Sequence, residues 1–226
     1  MNDYYLIKRC LTIAVILIFA AGCIRPEPGN IVVWGSDHGG LISDAPTGND
    51  FIAIASGGNH SLALNTRGEI TGWGNDSSDQ VSGAPTGVGF IQIDASINNH
   101  SLALNRNGRI FAWGWDGLNQ VSDTPGYNDF SKIAAGSRHS LALDSDGIIH
   151  AWGSDDHGQV SGSPTHSGFI KISTKDSHNL AIHENGSIYA WGADYEGSVT
   201  DTPAKGRYVA VAPGGGHSVA IRAVDE

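Results

Sequence analysis

The chain has 226 residues, with 23 acidic and 13 basic side chains, so its formal net charge at pH 7 is −10. This excess of carboxylates argues against nucleic acid as a partner, because contacts to phosphates require lysine and arginine. The two cysteines, Cys10 and Cys23, both lie near the N-terminus. That position excludes a disulfide framework or a thiolate metal site in the rest of the chain.

The N-terminal segment has the pattern of an export signal. Two basic residues precede an apolar run from Leu11 to Ala20, which is too short to span a bilayer as an ordinary helix. The sequence Ala-Ala-Gly-Cys that ends at Cys23 resembles the lipobox of bacterial lipoproteins, in which the cysteine is acylated. We therefore expect residues 1–22 to be a signal peptide, Cys23 to carry lipid, and residues 23–28 to form a short linker. An uncleaved anchor helix is the alternative. Both interpretations place the remaining chain outside the cytoplasm, tethered to a bacterial membrane on its periplasmic side or at the cell surface.

From Gly29 onward the sequence repeats a unit of about 39 residues. The dipeptide Trp-Gly returns at Trp34, Trp73, Trp113, Trp152 and Trp191. A histidine returns at His60, His100, His139, His178 and His217. An aromatic residue opens each full unit, at Phe51, Phe90, Phe130, Phe169 and Tyr208. A period of this length indicates a repeat architecture, in which a unit buries its apolar face only against its neighbours.

Each unit contains the patterns of four short strands. An alternating run such as Phe-Ile-Ala-Ile-Ala is followed by His-Ser-Leu-Ala-Leu, and the period of two indicates strands. A turn such as Asn107-Gly108 then predicts a hairpin to a third strand, which ends on the tryptophan. A fourth strand, such as residues 159–161, ends before a proline, which suits a sheet edge. Four antiparallel strands repeated without a helical period predict the blades of a β-propeller.

The phase of the two ends predicts how the propeller closes. Gly29 aligns with the hairpin glycines, so the N-terminal piece supplies only a third and a fourth strand, whereas Tyr208 to Ile221 supplies only a first and a second. We therefore expect residues 29–226 to form an all-β propeller of about five four-stranded antiparallel blades, closed by N-terminal strands that pair with C-terminal strands. The alternative is an open arc of a larger propeller.

The repeated motifs resemble those of a known family. The combination Gly-x-x-His-Ser-Leu-Ala-Leu, then Asn-Gly, then Trp-Gly-x-Asp-x-x-Gly-Gln is similar to the repeat of the regulator of chromosome condensation family, from about Gly29 to Ile221. The resemblance implies a propeller, usually of seven blades, that acts mainly through its surfaces. A eukaryotic type catalyses nucleotide exchange on a small nuclear GTPase and binds chromatin, whereas a bacterial secreted type inhibits β-lactamases through one propeller face. This acidic chain with an export signal looks more like the bacterial type.

The residues that recur in every unit are interpreted as structural. The five histidines invite a metal-site interpretation, but ligand clusters need convergence and usually a nearby carboxylate or thiolate. We expect the histidines to form hydrogen bonds within the fold, the tryptophans to pack between blades, and the aspartate three residues after each tryptophan to bind turn amides. The sequence predicts no catalytic, cofactor-binding or metal-ligating residue, and hence a protein that is not an enzyme.

Side chains that break the repeat gather at one predicted end of the propeller, which carries the first-to-second turns and the loops after Trp-Gly. Trp115 is the one tryptophan outside the repeat position, and aromatic residues among polar loops are typical anchors of protein interfaces. The alternative is that Trp115 folds back over its own blade. The predicted partner-binding residues are Trp115, Tyr195, Glu196, Asp156, His157, His38, Leu118, Ile97 and Arg138.

This end is also predicted to be strongly acidic. Its negative residues are Asp37, Asp76, Asp79, Asp116, Asp155, Asp156, Asp176, Asp194 and Glu196. Against Arg138 and Lys175 they leave an excess of seven negative charges, which favours a basic partner. We therefore expect a lipid-anchored propeller that binds an envelope or extracellular protein. The alternatives are a glycan-binding propeller, in which Trp115 and Tyr195 stack on sugar rings, and a protein similar to the β-lactamase inhibitors.

Overall fold

The computed structural model describes residues 26–224, so the predicted signal peptide and Cys23 lie outside the described residues. Within this range the chain forms four three-stranded antiparallel sheets and one two-stranded sheet. Sheet 1 contains β1 (Phe51–Ser56), β2 (His60–Asn65) and β3 (Ile70–Gly74), and sheet 2 contains β4 (Phe90–Ala95), β5 (His100–Asn105) and β6 (Ile110–Gly114). Sheet 3 contains β7 (Phe130–Ala135), β8 (His139–Asp144) and β9 (Ile149–Gly153). Sheet 4 contains β10 (Phe169–Lys175), β11 (His178–His183) and β12 (Ile188–Gly192), and sheet 5 contains β13 (Tyr208–Pro213) and β14 (Ser218–Arg222).

Each sheet packs on the next one along the chain. The second strand of one sheet contacts the first strand of the following sheet in all four cases, β2 with β4, β5 with β7, β8 with β10 and β11 with β13. β2 is buried along its whole length, and its Leu62 and Leu64 pack with Ala103 and Trp113 of sheet 2. The small alanine on the facing strand lets the two sheets approach closely, as its place in the repeat predicts. The all-β propeller prediction is confirmed.

The hairpin turns are also confirmed, with one difference. The glycines of the four turns have positive φ, at +77° for Gly68, +76° for Gly108, +77° for Gly147 and +85° for Gly186. The residue before each glycine does not, so Asn107 and its equivalents keep an ordinary backbone. A Cβ atom added to Gly68 would lie 2.6 Å from the carbonyl oxygen of Phe90, so the glycine is required both by its φ and by this close approach.

The predicted fourth strand is a turn in the structure. Residues 79–83 form turns instead of a strand, because Oδ1 of Asp76 accepts hydrogen bonds from the amide hydrogens of Val81 and Ser82, both at 2.9 Å. These amides are therefore not available to a strand partner. The arrangement recurs at Asp37, Asp116, Asp155 and Asp194. The prediction that this aspartate binds turn amides is confirmed, and it explains why the four complete blades have three strands instead of four.

The described sheet pairings do not include the expected ring closure. Gly29 exchanges backbone hydrogen bonds of 2.9 and 3.2 Å with Phe51, so the N-terminal piece enters in the predicted phase. It then lies on sheet 1, where the carbonyl of Leu41 accepts a hydrogen bond from Nε1 of Trp73 at 3.0 Å. Within residues 26–224 no third strand pairs with β14. Trp34 is 85% exposed, whereas the other four repeat tryptophans are each 5% exposed. The structure therefore corresponds to the alternative expectation, an open arc.

The repeat histidines join each sheet to the next. Nε2 of His60 lies 2.8 Å from Oγ of Ser101, and Nε2 of His139 lies 2.7 Å from Oδ1 of Asn179. The amide oxygen of Asn179 only accepts, so the imidazole donates through Nε2. His100 and His178 make the same bond to serines of the following sheet, at 3.1 and 3.2 Å. The predicted structural role is confirmed for these four histidines, whereas the fifth, His217, lies exposed just before β14 in the last sheet.

The histidines are held in the neutral state. Nδ1 of all four is buried without a hydrogen-bond partner among the described residues, so a proton added there would bring an unpaired charge into the interior. Burial lowers the pKa of His60 to about 4, that of His100 to about 3 and that of His139 to about 4. Burial acts in the opposite sense on a carboxyl group, and it raises the pKa of Asp94 to about 6.

We expect stability to fall as the pH is lowered from about 6.5 towards 4. In that window the unfolded chain protonates these histidines, whose ordinary pKa is 6.5, while the folded chain does not, so the unfolded state binds more protons. Each histidine contributes a loss of about 1 kcal/mol per pH unit. Asp94 works against them between pH 6 and 4, but it is one group against three. Urea unfolding followed by tryptophan fluorescence at several pH values measures the slope.

The variant His100→Asn is the control for this prediction. It removes one of the titrating groups, so unfolding of the variant should take up about one proton fewer in this pH range. The slope of its unfolding free energy against pH should therefore be shallower than that of the wild type. A wild-type unfolding free energy that is the same at pH 7 and pH 5 would contradict the prediction.

Candidate functional site: the loop face

The first-to-second turns and the loops after Trp-Gly lie at the same end of the arc, as predicted. In each of the four three-stranded sheets the first residue of the loop donates its backbone N–H to a carbonyl of the turn. These bonds run from Asn75 to Asn59 (2.7 Å), from Trp115 to Asn99 (2.8 Å), from Ser154 to Arg138 (2.9 Å) and from Ala193 to Ser177 (2.9 Å). We call this end the loop face. It comprises turns 57–59, 96–99, 136–138 and 176–177 and loops 35–40, 75–79, 115–119, 154–158 and 193–197.

The turns of the loop face are bonded to one another in sequence. Oγ of Ser96 donates to the carbonyl of Ser137 at 2.9 Å, and Oγ of Ser137 donates to the carbonyl of Asp176 at 2.8 Å. Two predicted site residues project from these turns, Ile97 at 37% exposure and the exposed Arg138. The bonded turns therefore give the loop face a defined inner edge.

His157 and Tyr195 are brought together across two neighbouring loops. Their ring centroids lie 5.9 Å apart at an interplanar angle of 67°, and Oη of Tyr195 lies 3.4 Å from Nε2 of His157. Both side chains are exposed, Tyr195 at 47%. Glu196 follows in a 3-10 turn, Tyr195–Gly197, and Asp156 lies beside His157, where its Oδ2 accepts a hydrogen bond from Oγ of Ser154 at 3.1 Å. This pair of rings is formed by two loops that also carry the carboxylates of Asp156 and Glu196.

Trp115 lies against its own loop, as in the alternative expectation. A Cβ atom added to Gly117 would lie 2.4 Å from Cζ2 of Trp115, so the indole covers this glycine. Both Trp115 and Leu118 are half-buried, and the backbone N–H of Leu118 donates to Oε1 of Gln120 at 2.9 Å. These two side chains therefore support loop 115–119 and present only part of their surface.

His38 lies on the N-terminal loop of the same face. It is exposed in the 3-10 turn His38–Gly40. A Cβ atom added to the next residue, Gly39, would lie 3.8 Å from the backbone nitrogen of Asn75. The N-terminal loop is therefore adjacent to the loop of sheet 1, and His38 sits at the far side of the face from Tyr195 in the order of the loops.

The carboxylates that hold the loops also keep the face negative. Oδ1 of Asp155 accepts the amide hydrogens of Val160 and Ser161, both at 2.9 Å, and these hydrogen bonds lower the pKa of Asp155 below its usual value. The same cause lowers the pKa of Asp37 and Asp194. These aspartates therefore stay ionised as the pH falls, which supports the predicted acidic character of this end.

A second aromatic cluster at the opposite, hairpin end was not predicted. Oη of the exposed Tyr127 lies 3.2 Å from Nδ1 of His150, and Nε2 of His150 lies 2.9 Å from Oδ2 of Asp144. Tyr127 and His150 also pack edge-on with Phe130 nearby. The signal was present, since the third strand carries Phe, His and Tyr at one position in successive sheets, but that position lies outside the loops.

Within residues 26–224 no group of three or more histidine, cysteine or acidic side chains is placed to hold a metal ion. None of the helical segments in that range is long and apolar enough to cross a membrane.

The model of the Regulator of chromosome condensation (RCC1) repeat matches residues 51–80, 90–120, 130–159 and 169–198, more than half of the chain. The chain belongs to the regulator of chromosome condensation repeat family. The four matches end at Gln80, Gln120, Gln159 and Ser198. In the first three, the glutamine Oε1 accepts an amide hydrogen two residues earlier in its own loop, at 2.8 to 2.9 Å. Ser198 takes this position in sheet 4, and its Oγ donates instead to the carbonyl of Ala193 at 3.3 Å.

Solved structures with the same fold include three propellers of this type. Prp20p from Saccharomyces cerevisiae is 21% identical, with a TM-score of 0.64 over 77% of this chain and 57% of that chain. The ectodomain of the Physcomitrella patens receptor kinase CR4 is 19% identical, with a TM-score of 0.63 over 76% and 51%. Human WBSCR16 is 18% identical, with a TM-score of 0.64 over 88% and 65%. The chain thus spans between about half and two thirds of each of these proteins, and the likeness concerns the fold. No curated protein matches the chain.

Asp155→Ala is expected to lower the free energy of unfolding by about 1–2 kcal/mol, because two amide hydrogens lose a charged acceptor while staying partly open to water. Asp156→Ala is the matched control. Its exposed carboxylate accepts one hydrogen bond, from Ser154, and the change should be within about 0.5 kcal/mol. Urea unfolding of both variants at pH 7 measures the difference, and equal losses would show that Asp155 does not hold its loop.

Proposed function

We propose that this protein is an exported, lipid-anchored, non-enzymatic binding protein that docks a basic envelope or extracellular protein on its loop face. The observation that carries the proposal is the exposed pair His157 and Tyr195, which joins two neighbouring loops. An aromatic side chain held by a neighbouring ring meets a partner with little loss of conformational freedom, which is typical of interface anchors.

The anchoring part of the proposal is supported by the sequence. Residues 1–22 have the order of a signal peptide, and Cys23 follows the lipobox-like Ala-Ala-Gly. The five residues 24–28 span at most ~18 Å when extended, so the propeller would lie close to the bacterial membrane. A partner would then be another envelope protein, or an extracellular one that reaches the surface.

The protein-binding part rests on surface chemistry and on the family. The loop face has an excess of carboxylates, several of which keep a lowered pKa through their turn hydrogen bonds, so it favours a basic surface. Prp20p, which shares the fold, is described by its binding to Gsp1p and histones and has been solved with Kap60 bound. We extend to this chain only the general idea that a propeller of this type binds proteins through a face.

The test compares Tyr195→Ala with Tyr127→Ala. The two tyrosines are 47% and 48% exposed, and the hydroxyl of each lies near a histidine, but Tyr127 lies at the hairpin end. Full-length protein in mild detergent is immobilised and incubated with envelope extract. We expect the wild type and Tyr127→Ala to retain the same basic protein, and Tyr195→Ala to retain about tenfold less, which is the loss of one interface anchor.

Salt and sugar distinguish the possible partners. Retention of a basic protein should decrease as salt is raised, because exposed charge pairs are screened. Equal retention by Tyr195→Ala and the wild type would contradict the proposal.

A glycan is the second candidate because the ring of Tyr195 is open to solvent beside Glu196. This function predicts that the protein binds peptidoglycan or polysaccharide and that free sugar competes with this binding. A β-lactamase inhibitor is the most specific form of the proposal, and it predicts slower hydrolysis by a purified β-lactamase with the wild type but not with Tyr195→Ala.

A further inference from the structure

The two ends of the arc are complementary halves of one sheet. β13 and β14 occupy the positions of the first and second strands of a repeat. Residues 29–34 have the sequence pattern of the third strand, which sheet 5 lacks. All residues of β14 are exposed, with Val219 at 56% and Ile221 at 62%, and the third-strand segment exposes Val32 at 71% and Trp34 at 85%. An open, apolar strand edge is a template for pairing with another strand.

The site that holds Trp191 shows what the third strand normally binds. Trp191 packs with Leu141 and Ile149 of the preceding sheet and with Ala181 of its own sheet. Its Nε1–H donates to the carbonyl oxygen of Gln159 at 3.0 Å. The same bond to the preceding repeat recurs at the other two complete interfaces, at 2.9 Å. A hydrogen bond from an indole N–H to this backbone carbonyl is therefore a regular part of the contact between two complete sheets.

A cleft of ≈ 290 Å³ beside β14 has the same apolar residues but holds no indole. Leu180, Ile188 and Ala220 stand at the repeat positions of the three apolar residues around Trp191, and the lining also includes Ser198 and the polar side chains of Glu196, Asp201 and His217. The carbonyl of Ser198 corresponds to that of Gln159 and accepts a hydrogen bond from Oγ of Ser218 at 3.4 Å. Gln159 accepts a hydrogen bond of this kind as well as that of the indole. The cleft therefore has the apolar residues and the carbonyl acceptor that hold a tryptophan in the other contacts.

The register of the other sheets specifies how the segment would bind. Asn179 lies opposite Trp191 and Leu180 opposite Ala190 in sheet 4. The same register on β14 places Trp34 opposite Ser218 and Val33 opposite Val219. The segment would thus extend sheet 5 by one antiparallel strand and insert its indole into the cleft.

The segment and the cleft of one molecule are held apart. Residues 29–41 are bonded to sheet 1 through Phe51 and Trp73, whereas sheet 5 packs on sheet 4. Four contacts between sheets, each with its histidine hydrogen bond of 2.7 to 3.2 Å, separate the two ends. Closure within one chain would have to change the angle at these packed contacts. A second molecule meets the same edge without any such change.

We propose that β14 and its cleft bind residues 29–34 of a second copy of this chain, which completes sheet 5 across the contact. The donor and the acceptor are different surfaces, so the contact is head-to-tail and each molecule keeps one donor and one acceptor. The average size of the assembly should then increase with protein concentration. Such head-to-tail contacts form an open filament, or a ring where the rotation between molecules allows closure. The cleft borders the loop face, because Glu196 and Gly197 of loop 193–197 also line it, but the proposed contact needs no loop-face partner.

Disulfide trapping tests the contact. Full-length chains in which Cys10 and Cys23 are replaced by serine carry either Val33→Cys or Val219→Cys and different affinity tags. Directly paired positions on neighbouring strands lie within the Cα separation that a disulfide requires. We expect the mixture to form a covalent heterodimer on oxidation, at least about tenfold more than a mixture of Val219→Cys with Val88→Cys. Val88 is 67% exposed at the hairpin end and serves as the matched control.

A double variant, Val33→Cys with Val219→Cys, separates the two modes of pairing. Covalent dimers and larger species from this variant support the proposal. A covalent bond within single chains and no heterodimer would show that one molecule closes on itself and would overturn it, as would equal trapping with Val88→Cys. Trp34→Ala in a cysteine-free chain is expected to lower the sedimentation-derived association constant about tenfold or more, because the cleft then lacks its indole; an unchanged constant would also overturn it.

Discussion

The structure depends on a bond that no repeat makes for itself. At the end of each repeat a backbone carbonyl, such as that of Gln80, accepts the indole N–H of the next repeat's tryptophan, and on the neighbouring strand a buried histidine donates to the next repeat's serine or asparagine. Separation of the sheets would break both hydrogen bonds and would expose to water the apolar side chains packed across the contact. The sheets are therefore stable only in series, and each end of the series leaves one half of the contact open.

The aspartate after each Trp-Gly links the fold to the surface chemistry. By accepting two amide hydrogens, Asp155 and its equivalents replace a fourth strand with a tight turn. That turn leaves the loop projecting at one end of the sheet, and the carboxylate that holds it stays ionised. The acidic loop face therefore follows from how the blades are built, whereas its aromatic side chains vary from loop to loop. The carboxylates of the loop face would attract basic partners in general, and the aromatic side chains would select among those partners.

Much of this could be predicted from the sequence because strand periodicity, hairpin glycines and repeat spacing are local signals. The alignment of Gly29 with the hairpin glycines and the hydrogen-bonding role of the repeat histidines could be predicted from the repeat, and the bonds of Gly29 to Phe51 and of His60 to Ser101 agree with both. Two features could not be predicted in this way. Ring closure depends on the small angle at each sheet contact, which adds up over four contacts and leaves no trace in the motif. The exposure of Trp115 depends on the packing of its indole against Gly117, whereas the exposed ring of Tyr195 contacts His157 of the neighbouring loop. Neither contact is visible in the repeat pattern.

The open end at β14 meets the loop face only at loop 193–197, where Glu196 and Gly197 line the cleft. Sheet-to-sheet contacts run around the arc, whereas the loops project from one end of every sheet. A second copy added at β14 would continue the first direction and would meet the loop face only at loop 193–197, which lines the cleft, so the other loops would stay uncovered. Several loop faces near one membrane would then engage a partner together, and the effective concentration of the second site raises the overall affinity without any new contact. A modest interface of a few exposed side chains, such as Tyr195 and His157, would in this way become sufficient for stable capture.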